Sequence, residues 1–282
     1  MSKLGIMQGR LVPPEPGRFQ SFPRARWADE FANAAAVPID YIEWIVDHYG
    51  DDVNPLRAEK GIEHLQRLMD STGVAIRAIC ADYFMDFPFV RCTAQERAER
   101  LAQLQQILKN GRKVGVLRVV IPFVDISAIK TDDDFRDVVN AMRSALPYAE
   151  ETGLELHLET SLGPADFKRL LDELPHPLLK ANYDSGNSSS LGYNPADEFG
   201  AYGDRVGSVH IKDRVKGGST VPLGTGDADF PTLFRELERV RYAGDFTLQV
   251  ARGEPDNEVE WTKSNVAFVR KYLNTIGSGE AA

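Results

Sequence analysis

One pattern constrains this chain more than any other: a short apolar run followed by an amphipathic helical stretch, repeated eight times. Strand-type runs fall near 4–8, 40–45, 74–80, 117–121, 154–159, 178–184, 206–212 and 245–250. Helical periodicity occupies 27–36, 60–71, 95–114, 132–151, 165–174, 196–203, 230–240 and 258–274. Eight strand–helix units with no linker between them predict a parallel sheet closed on itself. The expected fold is a single (β/α)₈ TIM barrel over residues 1–276, and 277–282 reads as a disordered tail. A doubly wound open sheet is the alternative. It often carries a Gly-rich phosphate loop after its first strand, and Gln8-Gly9-Arg10-Leu11 is no such loop.

Punctuation agrees with this division. Thr131 followed by Asp132, Asp133 and Asp134 is a helix start. Gly73 and Gly153 stand where helices end before a strand. Long loops over 9–26, 46–59, 81–94 and 213–229 all open at the C-terminal mouth of the expected barrel, where barrel enzymes keep their chemistry.

Bulk properties narrow the partners. The net charge of −9 repels nucleic-acid backbones and anionic lipid, so neither nucleic acid nor a membrane is expected as a partner. No apolar run approaches a membrane span, and the N-terminus reads as a first strand, not a signal peptide. Cys80 and Cys92 form no disulfide framework or zinc motif, which fits a reduced, cytoplasmic setting.

Side-chain alternation then picks out the chemistry. In 154–159, Leu154, Leu156 and Leu158 face the helices, whereas Glu155, His157 and Glu159 face the barrel axis. The next strand turns Lys180, Asn182 and Asp184 inward, the seventh turns Ser208, His210 and Lys212 inward, and the eighth turns Thr247 and Gln249 inward. Polar groups inside a barrel are costly unless they are paired or bind an ion. Four consecutive strands place Glu159, Asp184, His210 and Gln249 at or near their C-terminal ends. Carboxylate, imidazole and amide oxygen suit one divalent ion: manganese, magnesium, cobalt or zinc. Glu155, Lys180 and Asn182 are expected as a buried, paired layer beneath. The competing readings are a buried, paired Glu159, a satisfied core His210, a turn-forming Asp184 and a plain hydrogen-bonding Gln249.

Five segments carry a resemblance: Gly5-Ile6-Met7-Gln8-Gly9-Arg10-Leu11, His157-Leu158-Glu159-Thr160, Tyr183-Asp184-Ser185-Gly186-Asn187, Val209-His210-Ile211-Lys212-Asp213 and Leu223-Gly224-Thr225-Gly226-Asp227. With these the chain resembles the sugar phosphate isomerase/epimerase family of xylose isomerase-like TIM barrels. That group includes ketose 3-epimerases, hexulose-phosphate epimerases, hydroxypyruvate isomerase and inosose dehydratase, and it is related to endonuclease IV. The resemblance implies Glu, Asp, His and Glu as metal ligands on strands five to eight. Glu159, Asp184 and His210 match three of them, while Gln249 stands in place of the fourth. The two glutamates of the family's epimerases serve as paired bases, so the resemblance makes Glu159 and position 249 the catalytic pair. Asn187 stands where the ketose epimerases carry a substrate-contacting His.

The expected substrate is a small sugar or sugar phosphate, with Arg10, Glu43, His157, Asn187, Lys212 and Arg214 as candidate contacts. Lys212 and Arg214, with Lys216 and Gly217-Gly218, offer charge and backbone amides to a phosphate. Arg10 has a competing reading as a structural tie, Glu43 as part of a local network, and His157 as a support for a neighbour. Phe19, Phe22, Trp27, Trp44, Tyr49, Tyr83, Phe84, Phe87 and Phe89 read as walls of a sugar site or as the interface of a homo-oligomer. Two functional alternatives stand beside isomerisation: dehydration of a polyol ketone at the same site, and a binding barrel that has lost catalysis. An endonuclease IV-type metal cluster would need more than the five histidines present.

Overall fold

A computed structural model describes residues 2–274. The strands of its barrel are β1 (Leu4–Met7), β2 (Tyr41–Ile45), β3 (Ala75–Cys80), β4 (Arg118–Phe123), β5 (Glu155–Thr160), β6 (Leu179–Asp184), β7 (Val206–Ile211) and β8 (Asp245–Leu248). They close into a barrel in sequential order, and every neighbouring pair is parallel. Closure is made where β1 meets β8, with Leu4, Gly5 and Ile6 opposite Phe246, Thr247 and Leu248. The expected tail lies outside the described residues.

Each of the eight expected helices forms. The helix Asp132–Thr152 starts where the Thr131 side chain accepts from Asp134 N, and it ends at Gly153, whose φ of 69° is left-handed. Gly73 ends Glu59–Thr72 in the same way, with φ 72°. Thr93 and Glu96 close a reciprocal capping box at the start of Ala94–Lys113. The outward residues of the strands, such as Leu156, Leu158, Val209, Ile211, Phe246 and Leu248, are buried between sheet and helices.

Elements that were not expected include helices Tyr83–Asp86 and Ser185–Leu191, 3₁₀ turns at Pro55–Arg57, Asp125–Ser127 and Gly203–Arg205, and a small hairpin of Asp213–Arg214 with Thr220–Val221. The hairpin makes the seventh loop a built structure. Asp213 is fully buried and accepts from the backbone N–H groups of Gly224 and Gly226 at 2.8 and 3.0 Å and of Ala228 at 3.1 Å. A Cβ at Gly226 would lie 2.3 Å from Asp213 Oδ1, so only glycine lets the loop close on this carboxylate.

The barrel interior is polar, and a column of paired polar groups runs along it. Arg118 donates to Asp245 Oδ2 at 3.0 Å and to the Tyr41 hydroxyl at 2.8 Å. Tyr41 touches Thr247 at 2.8 Å, and Thr247 donates to Glu43 at 2.5 Å. This column runs up to the mouth and ends on His210. Glu155 and Lys180 form an ion pair, but their side chains are 29% and 34% exposed at the N-terminal end of the barrel, so they are no buried layer. The aromatic loop residues also depart from expectation. Phe22, Trp44, Phe84 and Phe89 are fully buried core, packed edge-on or stacked on one another. Among the aromatics named above, Phe19 and Tyr49 reach the cavity described next.

Candidate metal centre

The ends of β5, β6 and β7 bring Glu159, Asp184 and His210 together, with one ligand atom from each lying within 4.8 Å of the others. All three are buried. His210 Nε2 is bonded to Glu43 Oε1 at 3.0 Å. The other ring nitrogen, Nδ1, lies 3.2 Å from Glu159 Oε2, within ion-pair distance but poorly aligned for a hydrogen bond, and 4.0 Å from Asp184 Oδ2. A carboxylate fixing one imidazole nitrogen while the other points at acidic oxygens is the arrangement that holds a metal-binding histidine. Burial would depress the His210 pKa, but Glu43 on one side and Glu159 on the other raise it to about 10. The same pairing brings Glu43 down to about 2 against the opposing effect of burial. The site therefore attracts positive charge.

The carboxylates are held from outside the triad. Glu159 Oε2 accepts from Asn182 Nδ2 at 2.8 Å and Oε1 from Asn187 Nδ2 at 2.7 Å. Asp184 divides its oxygens. Oδ1 caps the helix Ser185–Leu191 by accepting from Asn187 N at 2.7 Å, while Oδ2 turns to the triad. The turn-forming and ligand-like readings of Asp184 thus coexist. Lys212 Nζ stands beside this oxygen set, 3.4 Å from Asp184 Oδ2, 3.3 Å from Asn187 Oδ1 and 3.2 Å from Gln249 Oε1. Gly186 makes room for the Lys212 stem, since a Cβ there would lie 2.5 Å from Lys212 Cγ.

Glu159 alone of the triad lines a cavity of about 410 Å³, a size that suits a small ligand. Glu159, Asn187, Lys212, Arg214 and Gln249 all line it. Arg214 is anchored by Gly218 O and Asn187 Oδ1 at 2.8 and 3.0 Å. Three expected contacts lie elsewhere. Arg10 is a buried tie of the first loop, donating to Val250 O at 2.9 Å, Phe19 O at 3.3 Å and Gln20 Oε1 at 3.0 Å. Glu43 sits behind His210. His157 is fully buried beneath the site, bonded to Ser208 and Glu155, and burial lowers its pKa to about 4. None of these three lines the cavity, because each is one layer too deep or is tied down by loop carbonyls.

The cavity also contains residues the sequence reading passed over, among them Arg18, Gln20, Asp47, Cys80 and Asp82. Asp82 follows the end of β3, so the strand-end rule that selected Glu159 had equal reason to select it. Its oxygens accept from Gln20 Nε2 at 2.8 Å and from the Cys80 thiol at 3.1 Å. Burial pushes its pKa up to about 6.

Comparison with known proteins agrees with the barrel fold. Residues 31–272 match the family model for xylose isomerase-like TIM barrels. The chain belongs to that family. It is 24% identical over 272 residues to an L-ribulose-5-phosphate 3-epimerase of Salmonella paratyphi A, covering 91% of this chain and 93% of that one. It is also 24% identical over 238 residues to a putative L-ribulose-5-phosphate 3-epimerase of Escherichia coli, covering 79% and 83%. Among solved structures, an L-ribulose 3-epimerase superimposes with a TM-score of 0.78 at 18% identity, covering 98% of this chain and 96% of that one. The IOLI protein, solved with a zinc atom, superimposes at 0.76 and 16% identity, covering 96% and 99%. Among the described residues, no helix is long and apolar enough to cross a membrane.

Proposed function

We propose that this chain is a metal-dependent sugar isomerase or epimerase that moves a proton between carbons beside a carbonyl. One observation carries the reading: His210, held through Nε2 by Glu43, turns Nδ1 to a carboxylate oxygen of Glu159 and one of Asp184, and Glu159 opens onto a cavity. Two carboxylates and an imidazole converging in a buried place favour a cation, either the proton that the raised His210 pKa retains or a metal ion that displaces it. Glu159, Asp184 and His210 would hold one divalent ion, with Gln249 Oε1 adding a neutral oxygen. This mixed set suits manganese, magnesium, cobalt or zinc. When bound, such an ion supplies Lewis-acid polarisation of the substrate carbonyl.

The chain's own residues do the rest. Asn182 and Asn187 fix the Glu159 carboxylate at the cavity floor, where it takes a proton from the carbon next to the carbonyl. The resulting enediolate needs a proton back. The Gln249 amide is no general acid, so Glu159 returns the proton to the former carbonyl carbon on the same face, while the proton of the neighbouring hydroxyl passes to the former carbonyl oxygen and leaves the carbonyl on that neighbouring carbon. That sequence is aldose–ketose isomerisation. Arg18, Lys212 and Arg214 line the cavity together with Asp47, Asp82, Asp86, Asp125 and Glu159, so an anionic group of the substrate would be held by these cations locally and not by the net charge of the wall. The relatives named for L-ribulose 5-phosphate support a ketose phosphate.

The test is incubation with Mn²⁺ and L-ribulose 5-phosphate in D₂O, followed by NMR. The wild type should wash deuterium into C1 of the ketose and yield aldose labelled at C2, and Glu159→Gln should do neither. Exchange that survives Glu159→Gln removes Glu159 as the base. Accumulation of the 3-epimer in place of the aldose overturns return on the same face.

A further inference from the structure

The strand-eight amide is held in one orientation by a network that begins outside the triad. Gln20, in the first loop, has its amide direction fixed from two sides. Asp82 only accepts, so the Gln20 nitrogen must face it, and it does at 2.8 Å. Arg10 only donates, so the Gln20 oxygen must face it, and it does at 3.0 Å. That same oxygen meets Gln249 Nε2 at 3.1 Å. Lys212 Nζ, again only a donor, meets Gln249 Oε1 from the other side at 3.2 Å. Every amide group in the chain Arg10–Gln20–Gln249–Lys212 is thus turned by a neighbour that cannot reverse its role.

We propose that Gln20 is a positioning residue that locks the Gln249 carbonyl oxygen on the side of Lys212, which itself pairs with Asp184, and makes position 249 selective for an amide over a carboxylate. This rests on the reading that Gln249 belongs to the ligand set. A glutamate at 249 would put a carboxylate oxygen against Gln20 Oε1. Turning Gln20 over to relieve that contact would set its nitrogen against Arg10 and its oxygen against Asp82. Gln20 and Gln249 therefore act as a matched pair, and restoring the family's carboxylate at 249 alone does not restore its geometry.

A double-mutant cycle on Mn²⁺ affinity, read by calorimetry on the full chain, tests this. Gln20→Met keeps the length of the side chain and removes both polar atoms. Arg10 still has Val250 O and Phe19 O, and Asp82 still has Cys80. In the wild-type background Gln20→Met should weaken Mn²⁺ binding about fivefold, the worth of one ordinary hydrogen bond. In the Gln249→Glu background the same change should tighten binding, because it removes the repelling oxygen. Effects of the same sign in both backgrounds overturn the proposal, since a general structural role would weaken both. Gln20→Ala in the same two backgrounds serves if Gln20→Met does not fold. Asp184→Asn separates the two ideas. If it leaves Mn²⁺ binding intact, the metal lies elsewhere and the site reading fails. If it abolishes binding while Gln20→Met shows no inversion, only the matched pair fails.

Discussion

Replacing Glu43 by glutamine should weaken metal binding although Glu43 touches neither the cavity nor the proposed ion. Glu43 is fully buried, accepts from His210 Nε2 at 3.0 Å and receives the Thr247 hydroxyl at 2.5 Å. Glutamine keeps its shape and loses its charge. Two things then change at His210. The carboxylate that fixes the imidazole with Nδ1 facing Glu159 and Asp184 is gone, and so is the negative charge that makes that nitrogen a strong donor to a cation. A buried hydrogen bond to a charged group is worth about 1.5–3 kcal/mol. At 1.4 kcal/mol per factor of ten, the Mn²⁺ dissociation constant should rise by roughly 10- to 100-fold. Calorimetry of wild type and Glu43→Gln, with matched circular dichroism to confirm folding, measures it. An unchanged dissociation constant in a folded Glu43→Gln protein would refute the reasoning, because it would mean that the imidazole needs no carboxylate behind it.

Two further outcomes follow from groups around the site. Burial raises the Glu30 pKa to about 7, against the Gly9 and Leu11 amides bonded to its Oε1. The folded chain therefore keeps a proton that the unfolded chain releases near its ordinary 4.5, so this group's contribution to stability falls as pH rises from about 4.5 to 7. Glu30→Gln should gain in melting temperature over wild type between pH 5 and pH 8, and a constant difference across that range would contradict the assignment. Asn182→Leu removes the donor to Glu159 Oε2, so kcat should drop at least tenfold with KM nearly unchanged, and a change confined to KM would argue that Asn182 contacts substrate instead.

Much of the barrel was legible because periodicity is a backbone property. Alternation along Leu154–Glu159 and Val206–Lys212 determines which side chains face the axis, and the eightfold repeat determines that their ends meet. Depth along the axis was less legible. His157 and Glu159 share a face, yet one residue pair of rise separates a buried support from the cavity floor. Glu43 and Arg10 were drawn toward substrate by their charge, but a strand neighbour and three loop oxygens claim them first. Loop geometry was least legible. Phe22, Phe84 and Phe89 looked like cavity walls because they stand in long loops, but those loops fold back and bury them. Gln20 carries no periodic signal at all. Its proposed role depends on Arg10, Asp82 and Gln249, which follow β1, β3 and β8 and meet only when the barrel closes.

The measurement that bears most directly on the metal centre is an anomalous difference map from crystals soaked in Mn²⁺. A single strong peak should appear about 2.0–2.3 Å from Glu159, Asp184, His210 Nδ1 and Gln249 Oε1, with Glu43 still bonded to His210 Nε2. A map with no peak among these side chains, or with the ion held elsewhere and His210 turned away, would contradict the account.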